Sequence, residues 1–217
     1  MHKSRNSQGA PETRGRTIHW ASLYDPFTWL VSLGREPTVR EMTLDLAGIV
    51  PGDKVLDVGC GTGTLTIAAK TRAGASGEVH GIDAAPEMVE VARRKAAQTG
   101  VDVDFQVGLI EDVPFPDDKF DLVLSSLMLH HLPEDLKHRG FVEIRRVLKS
   151  SGRFLAVDLE LSVHHLFAGL ANLFSSQGMV QSSLQSLTPM MEEAGFTAVE
   201  SGRTQFKVIS FLRGRAG

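Results

Sequence analysis

Val55-Leu56-Asp57-Val58-Gly59-Cys60-Gly61-Thr62-Gly63 is the stretch that decides the fold. A short β-prone run meets three glycines at alternate positions, and a helical pattern follows, so the segment reads as a buried strand turning sharply into a helix. Working outward, strands are expected over Lys54 to Val58, Glu78 to Ile82, Val103 to Val107, Phe120 to Ser125 and Gly152 to Asp158, with helices starting near Gly63, Pro86 and Pro133. Met88, Val91, Ala92 and Ala96 share one face of the second helix, which ends at Gly100; Phe141, Ile144 and Leu148 are at helical spacing in the third, which ends before Gly152. Strand, helix and strand joined by short connections predict an α/β fold: a doubly wound, mostly parallel, seven-stranded sheet with helices on both faces.

The flanks read differently. Residues 1–16 are polar and lack apolar periodicity, so a disordered tail is expected there, with one domain over 17–217. Within that domain, 17–50 carries Trp20, Tyr24, Phe27, Trp29 and Leu30 before Val39, Met42 and Leu46, and predicts an N-terminal helical lid of two helices broken near Gly34 to Pro37. Residues 162–187 form a His-, Phe-, Leu- and Ser-bearing insertion expected to cover the substrate. Pro189 to Ala194 looks helical, and Phe196 to Val199 with Thr204 to Leu212 predict two closing antiparallel strands joined at Ser201-Gly202.

With 217 residues, 42% of them hydrophobic, the chain is long enough for one sizeable core. Lys3, Arg5, Arg14 and Arg16 against Glu12 make the first sixteen residues +3, leaving −6 for the rest of a chain whose net charge is −3. That balance disfavours a domain-wide surface for duplex nucleic acid. No apolar run approaches membrane-spanning length and the N-terminus has no apolar signal core, so a cytoplasmic protein, monomer or homodimer, is expected. One cysteine, Cys60, rules out an internal disulfide and a Cys-rich metal cluster.

Each glycine of the quoted stretch lets the backbone approach a ligand or take a positive φ, and parallel sheets bind ligands at the carboxyl ends of their strands. A small molecule is therefore expected over Gly59 and Gly61. Counting from Gly59, the last place of the dinucleotide fingerprint falls on Thr64, which weakens a nicotinamide reading. Asp83, ending the next strand, suits vicinal ribose hydroxyls, which a carboxylate accepts without any phosphate. Ala85 precedes Pro86 where a Ser or Asp cap is usual.

The ordered set VLDVGCGTG, GIDAAPEMVEVAR, GLIEDVPFPDDKFDLVLSS with LMLHHLP, and EIRRVLKSSGRFLAVD resembles class I S-adenosylmethionine-dependent methyltransferases. The likeness is greatest to the small-molecule group of the ubiquinone and menaquinone biosynthesis enzymes, and it covers about residues 50–160. The resemblance implies a Rossmann-like sheet and S-adenosylmethionine as cofactor. It implies that Gly59, Cys60 and Gly61 hold the methionine end by backbone groups, with Asp57 helping to orient the amino group. Asp83 would take the ribose, and Ala84 with Met88 would pack on the adenine. After Gly108 this sequence has Leu109 where such enzymes often place an Asp on the adenine amino group, leaving the backbone of Leu109 and Ile110, or Glu111, for that contact. Ser125 would lie beneath the methionine portion.

A sulfonium methyl is already activated, so the protein must chiefly hold a nucleophile in line, exclude water and, where needed, remove a proton. The candidate catalytic residues are His130 and Tyr24, the latter because similar enzymes often place a Tyr-Asp pair near the transferring methyl. The expected acceptor is a small, apolar or aromatic molecule methylated at O, N or C. A cofactor-binding regulatory or scaffolding protein without transfer activity is the alternative. His164 and His165 lack the spacing of metal ligands, and no metal is expected. Asp117-Asp118 and Arg93-Arg94-Lys95 read as solvated surface charge, and Cys60 as a backbone contributor with an inert thiol.

Overall fold

Alternation of side chains along β-strands sorts this chain into two apolar layers around one sheet. The computed structural model describes residues 36–160, 183–206 and 208–217. Its elements are α1 (Glu36–Ala47), β1 (Lys54–Val58), α2 (Thr64–Ala73), β2 (Glu78–Asp83), α3 (Pro86–Thr99), β3 (Asp104–Val107), β4 (Phe120–Ser126), α4 (Glu134–Val147), β5 (Leu148–Leu159), α5 (Thr188–Glu193), β6 (Phe196–Arg203) and β7 (Ile209–Ala216). Short 3-10 turns lie at Leu129–His131 and Leu184–Leu187.

The seven strands form one sheet in the order β3-β2-β1-β4-β5-β7-β6. β1 through β5 pair in parallel, and β7 pairs antiparallel with β5 and β6. The order reverses between β1 and β4, which is the switch point where open α/β sheets leave a crevice for ligand. On one face Val55, Leu122, Leu155 and Val157 pack with Ala69 of α2 and with Val39 and Leu44 of α1. On the other, Leu56, Val123, Phe154 and Ala156 pack with Phe141 and Ile144 of α4 and Met191 of α5. Phe105 of β3 is enclosed by Val89, Ala92 and Ala96 of α3.

The expected α/β architecture is the observed one, with two corrections. Ser201 and Gly202 do not join the closing strands; they lie inside β6, opposite Leu212 and Phe211. Gly202 is there because the Phe211 ring occupies the place of a β-carbon, 2.9 Å from its Cε1. The reversal comes after Arg203, where Thr204 N donates to Ile209 O at 3.0 Å. β5 also starts four residues early, at Leu148, because α4 runs directly into it and Leu148 pairs with Phe120 before a register shift.

Of the predicted lid, α1 starts at Glu36, inside the expected break, and buries Leu44 and Ala47 against the sheet, so this part of the segment is core. Tyr24, the tail over 1–16 and the first predicted helix lie outside the described residues, as do His164, His165 and all but residues 183–187 of the 162–187 cover. No helix among the described residues is long and apolar enough to cross a membrane.

Candidate functional site

The carboxyl ends of β1, β2 and β4 converge at the switch point, and the glycine bend crosses above them. Gly59, Gly61 and Gly63 take φ of 76°, 54° and 78°, in the left-handed region that a side chain disfavours. Space is equally limiting. A β-carbon on Gly59 would lie 2.4 Å from Met128 Cγ, and one on Gly63 would lie 2.7 Å from the Phe105 ring and 2.8 Å from Ala92.

Hydrogen bonding then decides what the bend can hold. Gly59 N and Cys60 N both donate to Ile82 O, at 2.8 and 3.0 Å, and Gly61 N donates to Asp83 Oδ2 at 2.9 Å. These three amides are satisfied inside the protein and are not offered as the row of donors that cradles a phosphate. The nicotinamide dinucleotide reading, weakened by the glycine spacing, also lacks these three donors.

Two carboxylates underlie the bend. Asp57 is 1% exposed and accepts from Thr66 Oγ1 at 2.7 Å, tying β1 to α2. Burial pushes its carboxyl up to about 7, against the lowering effect of Thr66 and with help from the negative field of Asp83. Asp83 accepts from Ala85 N through Oδ1 at 2.9 Å, a side-chain bond that serves the start of α3 where Ala85 supplies none. Burial raises its carboxyl too, while the Ala85 and Gly61 amides work the other way. Neither carboxylate is paired with a basic side chain among the described residues. This uncompensated negative field fits a cationic nucleoside with neutral hydroxyls.

The same field, behind burial, pushes the Cys60 thiol up, so the thiol is held in its protonated, unreactive form. Ser125, one residue before the end of β4, is 1% exposed, and its Oγ has no hydrogen-bond partner among the described residues, an orphaned polar atom beside the switch point. Met88 is 3% exposed and packs with Ala85 at the start of α3, with Ala84 half-buried beside them.

After β3, Gly108 N donates to Asp83 O at 3.0 Å and brings the loop against β2. Leu109 and Ile110 are buried, Leu109 bridges to Asp112, and Glu111 is half-buried. The sequence-predicted positions on β1, β2, β4 and the loop after β3 thus come to one end of one sheet.

His130 follows on the turn after β4. Leu127 has φ 55°, strained for a leucine, and Met128 then rests on Gly59, so this turn is pressed against the glycine bend. His130 Nδ1 lies 2.6 Å from Asp158 Oδ1, and His130 N donates to Asp158 Oδ2 at 2.9 Å. In the sequence Asp158 is only the last residue of an expected strand; in the structure it lies one residue before the end of β5, the parallel neighbour of β4, at the strand ends where this architecture carries function.

The two charged stretches lie at the surface as expected, with Arg93, Arg94, Asp117 and Asp118 exposed and Lys95 half-buried, yet several of their side chains hold specific partners. Arg93 donates twice to Phe105 O, at 2.9 and 2.6 Å, covering a carbonyl of the edge strand β3. Lys95 donates to Thr62 Oγ1 at 2.9 Å and Thr64 Oγ1 at 2.7 Å and braces the bend from α3. Asp117 is likewise engaged, by Arg146 Nη1 at 2.7 Å. Periodicity places such residues on an outer face, but long cationic side chains reach over it to backbone and hydroxyl groups.

A methyltransferase-domain family model matches residues 55–152. The ubiquinone/menaquinone biosynthesis C-methyltransferase of Bordetella avium is 37% identical over 138 residues, 64% of this chain and 53% of that protein, so the match spans about half of its length. An uncharacterised methyltransferase of Synechocystis is 33% identical over 173 residues, 78% of each chain. Among solved structures, the YcgJ protein of Bacillus subtilis is 32% identical with a TM-score of 0.63, covering 76% of this chain and 70% of that one. The chain belongs to the class I S-adenosylmethionine-dependent methyltransferases, and S-adenosylmethionine is its cofactor.

Proposed function

We propose that the protein transfers the methyl group of S-adenosylmethionine to an oxygen, nitrogen or carbon nucleophile of a small, apolar or aromatic acceptor. The observation that carries the cofactor half of this reading is the bend whose amides face inward above Asp57 and Asp83. A cation seated there gains from a field that no basic side chain neutralises.

In this reading Gly59, Cys60 and Gly61 line the methionine end with Ser125 beneath it, and Asp57 orients the amino group from below. Asp83 accepts from the ribose hydroxyls with the lone pairs its two backbone donors leave free. Ala84 and Met88 pack on one side of the adenine, with Gly108, Leu109, Ile110 and Glu111 along the other. The cofactor supplies an activated methyl carbon. The chain supplies alignment, exclusion of water and, at His130, a place for a proton. Tyr24 is the second proposed catalytic residue.

Calorimetry with S-adenosylhomocysteine and with NADH tests the cofactor half: heat is expected with the first and none with the second. Single-turnover assays with labelled methyl donor over a small-molecule library test the acceptor half. Transfer to tRNA or protein alone would overturn it.

A further inference from the structure

Gly63 is where α3 meets the glycine bend. A β-carbon there would lie 2.8 Å from Ala92 Cβ, so the helix packs directly on the backbone of residue 63. One turn further along α3, Lys95 Nζ donates to Thr62 Oγ1 at 2.9 Å and to Thr64 Oγ1 at 2.7 Å, on either side of that glycine. The two hydroxyls are 3.5 Å apart, so a single ammonium bridges both. The bend therefore has two anchors. Residues 59–61 hang on β2 through Ile82 O and Asp83, and residues 62–64 hang on α3 through Lys95. The electrostatics of α2 do not explain a lysine at this place. Gly63 caps the helix in the left-handed conformation with no side-chain cap bond, and the first turn has no acidic residue, so the ammonium stands at the positive end of the helix dipole. What it gains is the pair of hydroxyls, and what it fixes is their position.

Thr64 opens α2, and Thr66, two residues later, donates to Asp57 Oδ2 at 2.7 Å. The first turn of α2 is thus held at Thr64 by α3 and in turn holds the carboxylate assigned to the amino group of the cofactor. A bend with three glycines at positive φ has more backbone freedom to lose than one built from other residues. A ligand closing on it must remove that freedom unless the fold has removed it already. We infer that Lys95 is a positioning residue for the cofactor: by bridging Thr62 and Thr64 it pre-orders the second half of the bend and the first turn of α2, and so selects for the amino-acid end of the molecule. The inference rests on the placement of the cofactor proposed above and deepens it. In this arrangement α3 serves both ends of the ligand. Met88, in its first turn, packs on the adenine, and Lys95, further along, steadies the methionine side; the adenosine contacts at Asp83 and Met88 do not pass through the lysine.

The test measures two ligands by calorimetry: S-adenosylhomocysteine, and 5′-methylthioadenosine, which keeps the nucleoside and lacks the amino-acid end. The proteins are the full chain, Lys95→Met, the pair Thr62→Val with Thr64→Val, which keeps shape and loses the hydroxyls, and all three substitutions together. Affinity for S-adenosylhomocysteine is expected to fall about tenfold in K95M and in the threonine pair, while affinity for 5′-methylthioadenosine stays within about twofold in each. The triple variant is expected to lie within about twofold of K95M, because the substitutions remove one shared interaction. Loosening of the fold as a whole would weaken both ligands alike, so the ratio of the two affinities separates position from stability. Should K95M not melt cooperatively, the threonine pair makes the same comparison. Equal losses for the two ligands, unchanged S-adenosylhomocysteine affinity in either variant, or losses that multiply in the triple variant would each overturn the inference. Failure of the unaltered protein to bind S-adenosylhomocysteine would sink the cofactor reading instead.

Discussion

Ile110 Cδ1 lies 2.7 Å from where a β-carbon on Gly140 would be, so the loop after β3 sits directly on α4. One turn further, Glu143 Oε2 accepts from Val113 N at 2.9 Å, and Arg146 donates to Val113 O at 2.9 Å and Phe115 O at 2.8 Å. Residues 140, 143 and 146 recur at helical spacing and share one face, so α4 templates the loop proposed to flank the adenine.

Arg146→Ala is expected to weaken S-adenosylhomocysteine binding about tenfold while stability falls by about 2 kcal/mol, given charge-assisted bonds that are partly solvent-screened. Binding of the inosine analogue should change less, because less of its affinity comes from that end. Calorimetry with both ligands and a urea titration check this; equal losses for the two ligands would contradict it.

Gly59→Ala combines a positive φ with a β-carbon 2.4 Å from Met128 Cγ. The expected destabilisation is about 2 to 4 kcal/mol, from left-handed strain and overpacking together. The double variant with Met128→Ala removes Cγ and Cε but keeps the Met128 β-carbon 2.9 Å away, so it should recover only part of the packing loss and keep the strain. A thermal melt of the three proteins reads that partial recovery.

Asp57 makes stability depend on pH. Its folded-state carboxyl is raised to about 7 from an ordinary value of 3.8, so the folded state binds more protons between those limits. Its contribution is fully present below about 4 and is lost as pH rises through 7. Asp57→Asn is expected to flatten the fall in melting temperature over that window and to melt higher than wild type at pH 8. The same variant should bind S-adenosylmethionine more weakly, since a buried anion facing the cation is gone.

Cofactor affinity should have the opposite slope. A cation favours the ionised forms of Asp57 and Asp83, so binding is expected to strengthen from pH 5 to pH 8 and to release protons. Calorimetry in two buffers of different ionisation enthalpy counts them. Proton uptake instead of release would mean that the two carboxylates do not face the bound charge. Asp83→Ala should abolish detectable binding.

The apolar strand into Gly59, Gly61 and Gly63, and Asp83 at the next strand's end, were legible because local chemistry dictates them. A strand must bury alternating faces, a tight bend needs residues without β-carbons, and a parallel sheet brings successive strand ends to one edge. Helix starts at Pro86 and after Pro133, and the stop at Gly100, follow from the same local rules. What only the tertiary structure decided are pairings between residues far apart in sequence. Nothing near His130 announces Asp158 28 residues on, nothing near Val113 announces Arg146, and Arg93 and Lys95 look solvated until Phe105 O, Thr62 and Thr64 are brought beneath them. The inward turn of the Gly59, Cys60 and Gly61 amides belongs with these. Glycine spacing specifies a bend, but the acceptors at Ile82 O and Asp83 come from a neighbouring strand, and they decide that these three amides are spent inside the protein.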